Sequence, residues 1–300
     1  MARGRCTVSY ATHKHSFRLP RPRKPAKEWR IQMAKATGIA DDPLNKAIIA
    51  LMNTIMFESD PYFKRLGAIG FYNHGYWKEA DDSVEIAQIN LIETLVDFFT
   101  DKTGSVLDVA CGIGVSTRFL TKYFDVNKVV GINISERQLD SCKTFVPECT
   151  FRLMDAVNLD FDDSSFDNIL CIDSAPNFNT RRRFLEEARR VLKPGGRLAM
   201  SDRIYSRDDF LSSVHPKENY LPDFDSYRRA LIDVGFNYAR VEDITEHSIH
   251  AFLRLVTRKI ERDFTVDDGY DRLLGLMKND ESSIGGQFSA IRCGLVFAIK

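Results

Sequence analysis

Between Ser105 and Arg203 the chain alternates β-branched apolar runs with amphipathic stretches, and no other feature limits its fold as tightly. "SVLDVA" reads as a strand and "STRFLTKYF" as a helix, followed by the strand "KVVGINI" and the helix "SERQLDSCKTF", with Ser135 as its N-cap. "CTFRLM" is a third strand. In "FDDSSFDNILCID" a turn signal at Asp162 to Ser165 precedes a fourth. "TRRRFLEEARRVL" is a helix supported by Glu186 four residues before Arg190; Lys193-Pro194-Gly195-Gly196 stops it, and "RLAMSDR" is a fifth strand. Strands and helices joined this closely predict an α/β fold with a doubly wound, mostly parallel sheet. Further on, "FDSYRRALIDVGF" reads as a helix, "NYARVEDIT" as a strand, "HSIHAFLRLVTRKIERDF" as an amphipathic helix and "IRCGLVFAIK" as a closing strand, seven strands in all.

The N-terminal third is helical in pattern. "PLNKAIIALMNTIMFESD" repeats apolar residues at i, i+3 and i+4 from Pro43. The aromatic loop "GFYNHGYW" (Gly70 to Trp77) leads into "SVEIAQINLIETLVDFFTD", with Ser83 as its N-cap. The first thirty residues differ: they carry many Lys and Arg, one acid (Glu28) and prolines at 20, 22 and 25. That composition predicts a disordered tail, with an organelle transit peptide as the alternative; no apolar core of a secretory signal is present. The expected division is a basic tail over 1–40, a helical lid and aromatic loop over 41–100, a cofactor-binding core over 101–245, and lid helices with the closing strand over 246–300.

Composition narrows the partners. The 300 residues balance 42 basic against 42 acidic side chains, so no global field draws the chain to nucleic acid. No apolar run approaches the roughly 18 residues of a membrane span. Six cysteines lie scattered without CxxC spacing, which predicts free thiols in a reducing, cytoplasmic setting and no metal site. A small-molecule partner is expected, and a homodimer stays open.

The loop after the first strand, in "VLDVACGIGVSTRFL", tells which ligand the sheet holds. A dinucleotide fingerprint needs a third glycine, but after Gly112 and Gly114 this chain has Thr117. It also lacks the Lys and Ser/Thr of a phosphate loop. What remains is an acid, Asp108, at the strand end, with backbone exposed at Ala110, Gly112 and Gly114 and no cation in the loop. That suits a ligand bringing its own positive charge.

These residues resemble the first motif of the class I S-adenosylmethionine-dependent methyltransferases, with Ala110 in place of the first glycine. The resemblance runs from Ser105 to about Arg203, and more weakly to the C-terminus. It implies a Rossmann-like methyltransferase fold with S-adenosylmethionine as cofactor. "VVGINIS" matches the second strand, where the family's ribose-binding acid is here Asn133, and Gln138 is assigned to cofactor binding with it. An amide can still donate and accept, but without charge assistance. In "LMDAVNLDF" the resemblance implies that Asp155 accepts from the adenine amino group and that the Ala156 backbone meets the ring edge. "VLKPGGRL" matches the turn before the fifth strand. Tyr76 matches a "GYW" segment that closes over the cofactor, and Asp173 is carried over as a cofactor residue.

"CIDSAPNFNTRRRF" resembles the small-molecule, natural-product tailoring branch that includes the erythromycin-type O-methyltransferases, whose pattern reads roughly E-S-A-x-H-[FY]. Asp173, Ser174, Ala175 and Phe178 match, but the histidine position is Asn177. If that histidine is the base, another must replace it, and the candidates are His74, His247 and His250. The implied reaction is O-methylation of a hydroxyl on a small natural product by in-line displacement. Two alternatives remain: C- or N-methylation of an apolar prenyl or aromatic acceptor, and a cofactor-binding, pericyclase-like protein on the same fold.

Overall fold

The computed structural model describes residues 39–53, 56–57, 73–205, 215–263 and 291–300. In chain order its elements are α1 (Pro43–Asn53), α2 (Val84–Asp97), β1 (Val106–Val109), α3 (Val115–Leu120), β2 (Val129–Asn133), α4 (Glu136–Phe145) and β3 (Thr150–Leu153). They continue as β4 (Phe166–Ile172), α5 (Arg181–Val191), β5 (Leu192–Ile204), α6 (Phe224–Asp233), β6 (Tyr238–Asp243), α7 (Ile249–Asp263) and β7 (Arg292–Ile299). The seven strands form one sheet in the order β3-β2-β1-β4-β5-β7-β6. The first five run parallel, and β7 is antiparallel to both β5 and β6.

Local chemistry sets the boundaries. Ser83, Ser135, Thr180 and Asp223 each accept a backbone N–H of the first turn, capping α2, α4, α5 and α6. The central strands are buried on both faces: β1 is buried at all four positions, and β4 at Phe166, Asn168, Ile169, Leu170 and Cys171. Such strands read as continuous apolar runs because helices cover the sheet on each side. Leu107, Val109, Ile169, Phe184, Leu198 and Val296 belong to one apolar cluster, while Leu91, Ile92, Leu95, Val106, Leu170 and Phe297 belong to another.

The sequence pattern and the fold differ at two places. Lys193 to Gly196 does not separate α5 from the strand: β5 begins at Leu192, opposite Phe166, and resumes pairing at Arg197, opposite Asn168. The four residues bulge out of the ladder, and Gly195 takes φ +76° to make the excursion. In the second case, α7 begins at Ile249, so His247 lies in the short turn before the helix rather than on it. The basic tail up to residue 38, the Gly70 to Tyr72 end of the aromatic loop and, apart from Met56 and Phe57, the expected helix beyond Asn53 lie outside the described residues.

The strand order reverses between β1 and β4. In open α/β sheets a ligand crevice forms outside the carboxyl ends of the strands at such a switch point. A cavity lies there. Its walls come from the segments after β1 (Ala110, Gly112), β2 (Asn133 to Ser135), β3 (Met154 to Ala156) and β4 (Ser174, Asn177, Phe178).

Candidate functional site

α1 roofs this cavity. Asn45, Ile48, Ile49 and Met52 line it, the last three at helical offsets of 3, 4 and 7 from Asn45, and Met56 beyond the helix lines it too, so the amphipathic stripe seen in the sequence faces the site. Two of its residues make polar contacts. Asn45 Nδ2 donates to Asp155 Oδ2 at 2.8 Å, and Asn53 Oδ1 accepts from Ser135 Oγ at 2.9 Å and Gln138 Nε2 at 3.2 Å. The helix therefore engages side chains at the ends of β2 and β3.

The loop after β1 is shaped by backbone conformations that most residues avoid. Ala110, Gly112 and Gly114 take φ of 57°, 56° and 92°. A Cβ added at Gly112 would meet nothing nearer than Met56 Cε, at 3.4 Å. The backbone there borders open space in the cavity, and a side chain would fill it. At Gly114 a Cβ would come within 3.2 Å of Cys142, so the second glycine serves close packing against α4.

Asp108 is 1% exposed and its Oδ2 accepts from Ser116 Oγ at 2.7 Å and Thr117 Oγ1 at 2.6 Å. The acid thus ties β1 to the start of α3. Thr117, which occupies the third-glycine place of a dinucleotide loop, is one of its two partners. Burial pushes the Asp108 carboxyl up to about 6, against the lowering effect of the two hydroxyls. A folded-state value above the ordinary 3.8 means the folded chain holds the extra proton, so its contribution to stability falls as pH rises between 3.8 and about 6. That interval corresponds to ~3 kcal/mol at most. Urea titrations should show the native protein losing stability relative to Asp108→Asn across this window, and parallel curves would remove the burial effect.

At the end of β2, Asn133 uses its amide within the protein. Its Nδ2 donates to Gln138 Oε1 at 2.8 Å and Gly112 O at 3.3 Å, and its Oδ1 accepts from Ser135 N at 3.0 Å. Asn133 and Gln138 are thus one hydrogen-bonded unit bridging the β1 loop and α4. Asp155, with Oδ1 accepting Val157 N at 3.1 Å, forms the turn after β3, and Ala156 is buried beside it.

The aromatic loop brings His74 to the end of β4. Gln88 Nε2 donates to Asn73 O at 3.1 Å, Tyr76 N to Ala87 O at 2.7 Å and Trp77 N to His247 O at 2.8 Å, which pins the loop between α2 and the start of α7. So held, His74 Nδ1 lies 3.2 Å from Asp173 Oδ2, and the His74 backbone N–H donates to the same oxygen. Ser201 Oγ donates to Asp173 Oδ1 at 2.7 Å. Burial alone would raise the Asp173 carboxyl. The His74 hydrogen bond and charge, the Arg203 charge and the Ser201 hydroxyl outweigh it and hold the group well below the usual carboxylate range. Asp173 itself sits at φ 48°, a strained backbone position next to the cavity residue Ser174.

The other sequence-selected histidines are placed differently. His247 Nδ1 lies 3.1 Å from Trp77 O, and its ring meets Tyr76 edge-on with centroids 6.2 Å apart. His250 Nδ1 pairs with Glu246 Oε1 at 2.7 Å near the surface. Like His74, neither lines the switch-point cavity, whereas Asn177 does. A histidine that pattern reading passed over, His215, stands directly against Asn177: its Nε2 is 3.0 Å from Asn177 Oδ1. No periodicity or motif marks it, because the contact joins segments 38 residues apart.

Comparison with known proteins agrees with this architecture. The model of a methyltransferase domain matches residues 107–200, from β1 into β5. An O-methyltransferase of Aspergillus nomiae is 30% identical over 198 residues, covering 60% of this chain and 86% of that one. The 27-O-demethylrifamycin SV methyltransferase of Amycolatopsis mediterranei is 27% identical over 201 residues, covering 62% and 74%. Among solved structures, a mycolic acid cyclopropane synthase crystallised with S-adenosylhomocysteine superposes with a TM-score of 0.65 at 19% identity, covering 84% of this chain and 98% of that one. A seven-stranded sheet with a crevice at its switch point defines a ligand-binding α/β protein, and the chain belongs to the class I S-adenosylmethionine-dependent methyltransferases. S-adenosylmethionine is its cofactor. Two groups in the cavity suit that ligand, the open backbone cradle at Gly112 and the carboxylate at Asp155.

Proposed function

We propose that this protein transfers the methyl group to a hydroxyl of a small natural-product acceptor, with His74 as the base and Asp173 as its orienting partner. The observation carrying this reading is the His74 Nδ1 to Asp173 Oδ2 contact of 3.2 Å at the carboxyl end of β4. The names of the Aspergillus and Amycolatopsis relatives support O-methylation.

When bound, the cofactor supplies a methyl group on a sulfonium, activated toward attack by an oxygen. The chain's own task is to hold the acceptor in line, exclude water and take up one proton. Asp173, ionised through the acid range, accepts the hydrogen on His74 Nδ1. Nε2 then presents its lone pair and takes the proton of the attacking hydroxyl as the oxygen forms its new bond to carbon. The resulting imidazolium is stabilised by the carboxylate beside it. Phe252 meets the His74 ring edge-on at 5.6 Å and shields it from solvent.

Asp108, Ala110, Gly112, Gly114, Asn133, Gln138, Asp155, Ala156 and Tyr76 would hold the cofactor, with α1 and α7 as the lid over it and the acceptor. Asn45 now occupies Asp155 Oδ2, so adenine would either share that oxygen with Asn45 or displace its amide. Gly112→Val places a branched side chain in the open cradle at a φ of 56°. Calorimetric titration with S-adenosylhomocysteine should then show affinity reduced by at least ~100-fold, the combined effect of steric exclusion and about 1–2 kcal/mol of backbone strain. Unchanged affinity would remove the loop from the cofactor site.

The reaction itself is tested with carbon-labelled S-adenosylmethionine and a panel of hydroxylated polyketide and phenolic acceptors. The product's methyl carbon should appear in the O-methyl region of the NMR spectrum. Label on carbon or nitrogen, or tight cofactor binding with transfer to no acceptor, would overturn the proposal.

A further inference from the structure

At the carboxyl ends of β4 and β5 the structure contains a polar cluster that the proton transfer described above leaves unused. His215 Nδ1, the Tyr205 hydroxyl and Arg203 Nε are all buried, and none has a hydrogen-bond partner among the described residues. An unpaired buried polar atom is destabilising, so three in one place are poorly explained by stability. They are close neighbours. The His215 and Tyr205 rings have centroids 4.8 Å apart, and the Arg203 guanidinium lies 5.7 Å from the Tyr205 ring. His215 is 6% exposed and Tyr205 5%.

The cluster joins both halves of the site. Asn177 lines the switch-point cavity and accepts from His215 Nε2 at 3.0 Å. Arg203 Nη2 donates to Asp173 O at 3.0 Å, on the residue that holds His74. Because Asn177 presents its oxygen to Nε2, that nitrogen carries the hydrogen and Nδ1 offers a lone pair. Burial, then the charges of Arg203 and Arg181, push His215 down to about 4, so the ring is neutral at ordinary pH. The unused set is therefore two donors, from Arg203 and Tyr205, and one acceptor, on His215.

We propose that Asn177, Arg203, Tyr205 and His215 form a recognition subsite for the methyl acceptor and take a β-hydroxy-carbonyl group, apart from the hydroxyl that is methylated. The carbonyl oxygen accepts from Arg203 Nε and the Tyr205 hydroxyl, and the neighbouring hydroxyl donates to His215 Nδ1. His215 selects and orients here; the proton leaves through His74. The subsite rests on the acceptor reading given above and adds to it a substrate class, oxygenated chains with alternating carbonyl and hydroxyl groups.

The probe is the phenyl-substituted β-hydroxy ketone formed from acetone and benzaldehyde, added to the protein saturated with S-adenosylhomocysteine. Two analogues are titrated beside it, one lacking the hydroxyl and one lacking the carbonyl. Long-range proton–nitrogen NMR of labelled histidine reads the His215 Nδ1 resonance, and calorimetry reads the affinity. The hydroxy ketone should move that resonance and bind at least ~10-fold more tightly than either analogue. Tyr205→Phe, which deletes one oxygen and keeps the ring packing, should abolish the preference over the carbonyl-free analogue. An unmoved resonance, equal affinity for the three compounds, or an unchanged preference in Tyr205→Phe would overturn the subsite and mark the cluster as filled by water. Methyl transfer separates the two proposals: O-methylation of panel acceptors with no response at His215 leaves the reaction standing without the subsite. Selective probe binding with no transfer to any hydroxyl does the reverse.

Discussion

Replacing His74 by glutamine should lower kcat for O-methylation by roughly 10²–10⁴-fold while leaving S-adenosylhomocysteine affinity within about twofold of the native value. Glutamine retains a donor toward Asp173 but has no basic nitrogen to receive the proton. The loss should therefore appear in kcat rather than in cofactor binding. Asp173→Asn probes the same pair from the other side. The amide removes the negative charge beside the ring, so the imidazolium formed on proton uptake loses its stabilising partner and kcat should fall. Turnover with labelled cofactor measures both. If His74→Gln keeps full activity on an alcohol acceptor, the base lies elsewhere. A phenolic acceptor gives a useful contrast, because its hydroxyl ionises more readily and should depend less on the histidine.

The second large effect concerns stability. Arg181, 3% exposed at the start of α5, donates Nε to Asp202 Oδ2 at 2.9 Å, and Asp202 is 1% exposed at the end of β5. The Tyr227 hydroxyl of α6 donates to the same carboxylate oxygen. Arg181 also donates to the carbonyl oxygens of Asn219 and Arg203, while Asn219 Nδ2 donates to Pro176 O at 2.8 Å and Phe178 O at 2.7 Å. One buried ion pair thus ties α5, β5 and α6 to the turn that carries Asn177. Arg181→Met would leave Asp202 charged, buried and short of its main partner, a loss of about 3–5 kcal/mol and on the order of 10 °C in Tm. The double variant Arg181→Met with Asp202→Leu removes both charges and should recover much of that loss. Chemical denaturation of the three proteins decides the matter. Equal stability of the native and Arg181→Met proteins would show that the pair is not coupled to folding. Activity should fall with the single variant below its melting range too, because the Asn177 turn loses its anchor.

Much of the fold was legible because its signals are local. The apolar runs of β1, β2 and β4, the capping hydroxyls of Ser83 and Ser135 and the amphipathic stripe of α1 are each written within about a dozen residues, the range over which periodicity and capping operate. The loop from Asp108 to Gly114 was legible for the same reason: its positive φ values and its crowding against Cys142 demand small residues at fixed offsets. The Lys193 to Gly196 bulge was misread as a simple stop, since composition shows a turn but not that the ladder resumes beyond it.

The sequence by itself determined the alternating α/β order and the shape of the loop after β1, and its family resemblance pointed to the methyl donor. Only the tertiary structure decided which side chains face one another across the crevice. Asn45 reaches Asp155 over 110 residues, His74 reaches Asp173 over 99, and His215 meets Asn177 over 38. Such contacts depend on the packing of α1, the aromatic loop and the β5 end around the sheet, and that packing is driven by apolar area, which carries no record of which polar groups it will bring together. A histidine with no motif around it therefore comes to stand beside the cavity, while its more conspicuous counterparts at 247 and 250 hold the start of α7 in place.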